Sequence, residues 1–426
     1  MRSNWWIALA MGTILFALES PGFAAKFKVI HTFQAGTDGL VPEGALILDA
    51  TGNLYGTTVG GGLYGGGTVF ELSPNSDGSW AETILYNFKY QGDGGLPNAA
   101  LVFDAQGNLY GTTQQGGIFN SACSGTGCGV VFELTPGSGG WTETVLYSFT
   151  GLPDGAFPSG PVVLDAAGNL YGTTSGGGVD NQCFEGCGTA FELVKASGWA
   201  EQQLHVFQNY PFDGAYPLGG LTFDRTGNLF GTTEIGGPSE GFGADGIAYV
   251  LQPGSNGQWS EHILHTFCSR VYCGDGNGPE AGVILVNGSV LGTTSMGGGS
   301  GRYGVVFKLT PLAGKMTVSS YAFNTTDGAD PVAPVLALDG KLFGVTSQGG
   351  IQNNACVLYP SGNGVVFELA PQNGKLTETV LYSFTGGSDG CGPVGGLVAD
   401  AAGNLYGTTN QGGGSANGGT VFEVTP

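Results

Sequence analysis

Seven of the Asp-Gly pairs in this 426-residue chain, at Asp38, Asp93, Asp154, Asp213, Asp275, Asp327 and Asp389, recur at regular intervals, and a proline follows each within a few residues, from Pro42 to Pro393. Carboxylates are hard oxygen ligands, so seven of them gathered on one surface would form a ring able to hold Ca2+. The pattern also has a local use, because an Asp side chain can bond the backbone of its own turn while Gly and Pro set the angles. Uniform recurrence favours the local use. Acid/base chemistry would need unlike carboxylates with separated pKa values. A second set, Asp49, Asp104, Asp165, Asp224 and Asp400, opens five short turns and reads as a cap on their amides.

The chain has four histidines. His31, His205 and His265 occupy a slot held elsewhere by Tyr86, Tyr147, Tyr321 and Tyr382, and His262 takes the slot of Thr83, Thr144 and Thr379. A position that alternates His with Tyr asks for a packed ring with a polar tip, so these read as structural. Eight cysteines suggest the pairs Cys123–Cys128, Cys183–Cys187, Cys268–Cys273 and Cys356–Cys391. Zinc is the competing use of the thiols, weakened by the lack of a neighbouring histidine. There is no nucleophile motif and no HExxH, and the Gly-rich runs lead into strands rather than helices, which excludes a phosphate loop.

These residues are positioned by a repeat. The heptapeptide GNLYGTT stands at 52–58, 107–113, 168–174 and 403–409, with GNLFGTT at 227–233 and the weaker copies GSVLGTT at 288–294 and GKLFGVT at 340–346. Each is followed by a second marker, from TVFEL at 68–72 to TVFEV at 420–424, so either marker counts seven units. Within a unit four short runs of β-branched and aromatic residues alternate with Gly, Pro and Asn, and helical periodicity is absent. Four strands per unit repeated radially describe an all-β, seven-bladed β-propeller. Small residues such as Gly44-Ala45 and Gly219-Gly220 begin each first strand, where strands converge on the axis. The aromatic beside each central glycine, Tyr55 for example, is expected to pack between blades, and the glycine to admit a neighbouring backbone.

The last unit stops after its third strand, while 26–33, KFKVIHTF, resembles an isolated fourth strand such as ETILYNF at 82–88. The N-terminal strand therefore closes the ring against the C-terminal blade, leaving no open edge. Ahead of it, residues 1–25 carry Arg2, an apolar run from Trp5 to Leu18 and small residues at Ala24 and Ala25, the pattern of a cleaved signal peptide. That leaves 26–426 as one propeller, secreted, periplasmic or at the cell surface, where disulfides are permissible. No other segment could span a bilayer. A net charge of −21 with 12 Lys+Arg argues against nucleic acid as a partner.

The block running from Asp-Gly through GNLYGTT to GTVFEL resembles the Gloeo/Verruco, or GloVer, tandem repeat of secreted bacterial proteins, over essentially all of 26–426. The resemblance implies an exported protein built of repeats, often carrying a C-terminal sorting anchor, and it brings no catalytic residues. The stretch before Pro426 is not an apolar tail, so anchoring of that kind is not expected. A looser similarity links the same core to propeller repeats of sensor domains and streptogramin-lyase-like proteins, whose histidine-and-acid constellation has no counterpart here.

Length variation falls on the face of the loops between second and third strands, and six of these loops hold an aromatic: Tyr64, Phe119, Phe184, Phe242, Tyr303 and Tyr359. Rings on disulfide-pinned polar loops suit stacking on sugars. The expected function is a monomeric binding module for an extracellular glycan or protein. The alternatives are a carbohydrate-active hydrolase or lyase using acids at the central opening, and a structural envelope component.

Overall fold

The computed structural model describes residues 25–179, 183–209, 211–238, 245–255, 257–353, 355–356, 358–359, 361–372 and 375–426. The proposed leader, apart from Ala25, and the loop ring Phe242 lie outside them. Seven four-stranded antiparallel sheets form seven blades. Blade 1 is typical: Ile47–Leu48, Leu54–Thr58, Thr68–Pro74 and Trp80–Asn87, from the axis outward. Its second strand is buried throughout, and its fourth alternates exposed and half-buried residues, as the rim of a ring requires.

Blade 7 is composite. Val398–Ala399, Leu405–Thr409 and Thr420–Thr425 supply three strands, and Lys26–Thr32 supplies the fourth. Val29 lies opposite Phe422 and His31 opposite Val421, with Ile30 bulged out between them. The same bulge recurs on the fourth strands of blades 1, 2, 3, 4 and 6, so the N-terminal strand reproduces the repeat down to its irregularity. Blade 5 lacks the bulge. Its strand is one residue shorter between the third-strand partner and Tyr321.

Two devices join blades. One is a ladder of edge-to-face or tilted aromatic pairs, with a Phe ending one blade set against the third-strand ring of the next. Phe33–Phe70, Phe88–Phe132, Phe149–Phe191, Phe207–Tyr249, Phe267–Phe307, Phe323–Phe367 and Phe384–Phe422 all meet at 4.8–5.2 Å. The other is the first threonine of GTT in blades 1 to 5. Thr57 donates to the Ala99 carbonyl, Thr112 to Gly160, Thr173 to Gly219, Thr232 to Ala281 and Thr293 to Ala333, at 2.7–3.2 Å. Small residues at those acceptor positions let the second strand of one blade reach the first strand of the next.

The tyrosine beside the central glycine does pack across a joint, as Tyr55 on Phe103 and Tyr171 on Phe223 show. The glycine itself serves another purpose than expected. A Cβ on Gly56 would lie 2.6 Å from the Phe70 ring, and one on Gly111 2.6 Å from Phe132, so it accommodates a cross-strand ring of its own blade rather than a neighbouring backbone.

The two weaker heptapeptides are explained by their turns. Asn287-Gly288 and Asp339-Gly340 have positive φ at both positions, the two-residue hairpin that replaces the longer Asp-capped one. In the longer form Asp49 accepts from the amides of Thr51 and Asn53 and from Tyr55 Oη. Burial opposes ionisation there, but these bonds win and hold the carboxyl below its ordinary value.

Candidate binding face and axial cavity

Second-to-third-strand loops and blade-to-blade connections emerge on one face. All four expected disulfides are there: Cys123–Cys128, Cys183–Cys187, Cys268–Cys273 and Cys356–Cys391. The first three staple single loops, and the fourth ties a loop of blade 6 to the connection into blade 7.

The seven Asp-Gly aspartates do not line the axial cavity. Each carboxylate is engaged in its own corner, accepting an amide from the end of the fourth strand, as in Gln34 to Asp38, Lys89 to Asp93, Thr150 to Asp154, Gln208 to Asp213, Ser269 to Asp275, Asn324 to Asp327 and Thr385 to Asp389. Among the described residues no three of them come within metal-holding distance of one another. Six also bind the ring in the Tyr/His slot: Tyr86 to Asp93 at 2.8 Å, Tyr147 to Asp154, Tyr321 to Asp327, Tyr382 to Asp389, and His205 to Asp213 and His265 to Asp275 at 3.0 and 2.9 Å. The interchange of His with Tyr is thus a choice of partner for an aspartate. The two lie six to ten residues apart in the chain, a spacing too variable to reveal the bond from sequence alone.

What lines the axis is the residue after each corner proline: Glu43, Asn98, Ser159, Leu218, Glu280, Val332 and Val394. Backbone repetition puts these seven positions around one opening, while the side chains differ from blade to blade. With Gln114, Asp330, Ser347, Tyr359 and Asn410 they enclose a cavity of about 390 Å³. Tyr359 reaches in from its loop and accepts from Asn410 Nδ2 at 2.7 Å. Burial raises its phenol to about 12. Burial also pushes the Glu280 carboxyl up to about 7, with Asp330 and Glu234 adding to it, and raises Glu43 against a bond from Asn410. The amide oxygens of Asn98 and Asn410 have no hydrogen-bond partner. Among the described residues no lysine or arginine lines the cavity. Glu43, Asn98 and Glu280 were not singled out from sequence, because a varied position inside a regular repeat looks like noise until the ring is closed.

The loop rings divide. Tyr359 lines the axial cavity and Tyr303 an adjoining one that shares Glu280 and Asp330. Tyr64, Phe119 and Phe184 are exposed, Phe184 by 81%. Among the described residues, exposed large apolar side chains include Leu63, Ile118, Phe212, Tyr272 and Leu358 on this face, and only Leu312 at the opposite end. A polar, acidic centre is therefore rimmed by apolar side chains. Among the described residues no helix is long and apolar enough to cross a membrane.

The Gloeobacter/Verrucomicrobia repeat matches residues 10–126, 120–303 and 238–426. No curated protein matches the chain in sequence. Among solved structures, a putative 6-phosphogluconolactonase from Bacteroides uniformis ATCC 8492 is similar with a TM-score of 0.50 and 16% identity, over 83% of this chain and 88% of that one. PorZ, an essential bacterial surface component of the type-IX secretion system of Porphyromonas gingivalis, is similar with a TM-score of 0.48 and 14% identity, over 91% of this chain and 46% of that one. At such identities the likeness concerns the fold alone.

Proposed function

This chain belongs to the Gloeobacter/Verrucomicrobia repeat family, and on that premise we propose that it is an exported binding module that takes a neutral glycan at its loop face. One observation carries the reading: the axial cavity combines amides, hydroxyls and carboxylates with an aromatic ring, and no lysine or arginine is among its described lining residues. Sugar hydroxyls donate well to carboxylates such as those of Glu43 and Glu280, which line the cavity. The volume, about 390 Å³, suits one or two sugar rings by comparison with small-molecule pockets of roughly 300–1,000 Å³. The apolar rim would hold the rest of the chain by stacking. Four disulfides fit an oxidising compartment.

A glycan array followed by calorimetry tests this. Tyr359→Ala and Asn98→Ala should each weaken a retained glycan about tenfold, which is the loss of roughly 1.4 kcal/mol. A correctly folded protein that retains no glycan would sink the proposal.

The enzyme reading keeps one specific support. Glu280, held near 7 beside Asp330, has the character of a proton donor and departs from the sevenfold equivalence of the corner aspartates. Release of reducing ends, lost in Glu280→Gln with glycan binding retained, would move the protein into the hydrolase or lyase class.

A further inference from the structure

The His31 corner differs from its six counterparts. Elsewhere the ring in this slot bonds the corner aspartate directly. At the seam where the N-terminal strand meets blade 1, His31 Nε2, Asp38 Oδ1 and Glu82 Oε1 are each closed to solvent and have no hydrogen-bond partner. Ligand atoms from these three residues lie within 4.8 Å of one another, and His31 Nε2 is 3.6 Å from Glu82 Oε1. No Lys or Arg pairs with either carboxylate; among the described residues the one ion pair of that kind is Lys341–Glu368. Two half-buried carboxylates without a counter-cation are costly.

We propose that His31, Asp38 and Glu82 form a binding site for a divalent cation of the zinc class. An ion bonded at about 2.0–2.2 Å sets tetrahedral ligand atoms roughly 3.3–3.6 Å apart, which spans the His31–Glu82 separation. Imidazole nitrogen together with two carboxylate oxygens selects zinc-like ions over Ca2+ or Mg2+, which prefer oxygen alone. A dipositive ion balances the two carboxylates. The ligands come from the closing strand, the loop after it and the fourth strand of blade 1, so the ion staples the seam of the ring.

His205, Asp213 and Glu261 offer the same residue types. There, however, Asp213 already accepts from His205 Nε2 at 3.0 Å and from the amides of Gln208 and Gly214. An ion would have to displace bonds already made.

The repeat supplies its own test. His31→Tyr recreates the Tyr–Asp corner of blades 1, 2, 5 and 6 and should fold, and Glu82→Gln is isosteric. Metal-stripped full-length protein is titrated with Zn2+ by calorimetry and with Co2+ by visible absorption, with Ca2+ alongside, and melting is followed in parallel. The expected result is one Zn2+ per chain, weakened at least tenfold in both variants, preserved in His205→Tyr, and accompanied by a rise in melting temperature that His31→Tyr abolishes. Failure of the wild-type protein to bind Zn2+, binding unchanged in His31→Tyr, or loss in His205→Tyr alone would overturn the proposal.

Discussion

Threonine does more in this ring than its β propensity requires. The first threonine of GTT reaches the next blade at five joints, and the second bonds the loop that follows, as Thr58 does to the Gly60 carbonyl. Replacing Thr112 by Val strands the buried Gly160 carbonyl and should cost about 1 kcal/mol, read as a lower midpoint in denaturant unfolding. An unchanged midpoint would make the bond incidental. Which residues mattered was legible in the sequence here, while their partners were not. A repeat shows that Thr112 is retained in its slot, and only the closed ring shows that its acceptor lies 48 residues away. The corner aspartates repeat the lesson, since their turn-capping role was readable and their bond to the Tyr/His slot was not.

At the scale of strands and joints, departures from the repeat mark where packing changes. At three joints a tryptophan at the entry to one fourth strand leans on the tyrosine of the preceding blade: Trp80 on Tyr406, Trp199 on Tyr110, Trp259 on Tyr171. Between blades 5 and 6 both rings are missing, replaced by Leu291 and Leu376, and a cleft of about 620 Å³ opens along them. Leu376→Trp should fill part of it and stabilise the protein by about 1 kcal/mol through added apolar burial, measured as a raised unfolding midpoint. A lower midpoint would show that the cleft has no room. The strand count, the blade count and the borrowed closing strand were all legible, because each follows from periodicity and a deficit of one strand. The cleft was not, since Leu for Tyr looks conservative until three elements converge on it.

The whole molecule is acidic, and its response to pH follows from a ring of glutamates. Burial pushes Glu143, Glu201 and Glu378 up to about 7, and the corner aspartates Asp93, Asp154 and Asp327 of the preceding blades add to it. The folded state thus keeps protons that the unfolded chain releases near its ordinary value of 4.5, so stability falls as pH rises from there toward 7 and levels off above. Asp49, Asp104, Asp224 and Asp400 act oppositely: burial works against them, their turn bonds lower them, and the stability they contribute is lost as pH falls below about 3.8. Melting temperature should peak between about pH 4 and 5, with Glu143→Gln flattening the decline toward neutrality. A melting temperature that climbs from pH 5 to pH 8 would contradict this.

The threonine links also have a gap. Val345 stands where blade 6 would reach blade 7, and Thr408 of blade 7 leaves its hydroxyl unpartnered. The sector assembled from both chain termini thus lacks this threonine link on both of its flanks. Cys356–Cys391 bolts one of those flanks. A reducing environment would loosen the hoop at its latch long before it disturbed the staves.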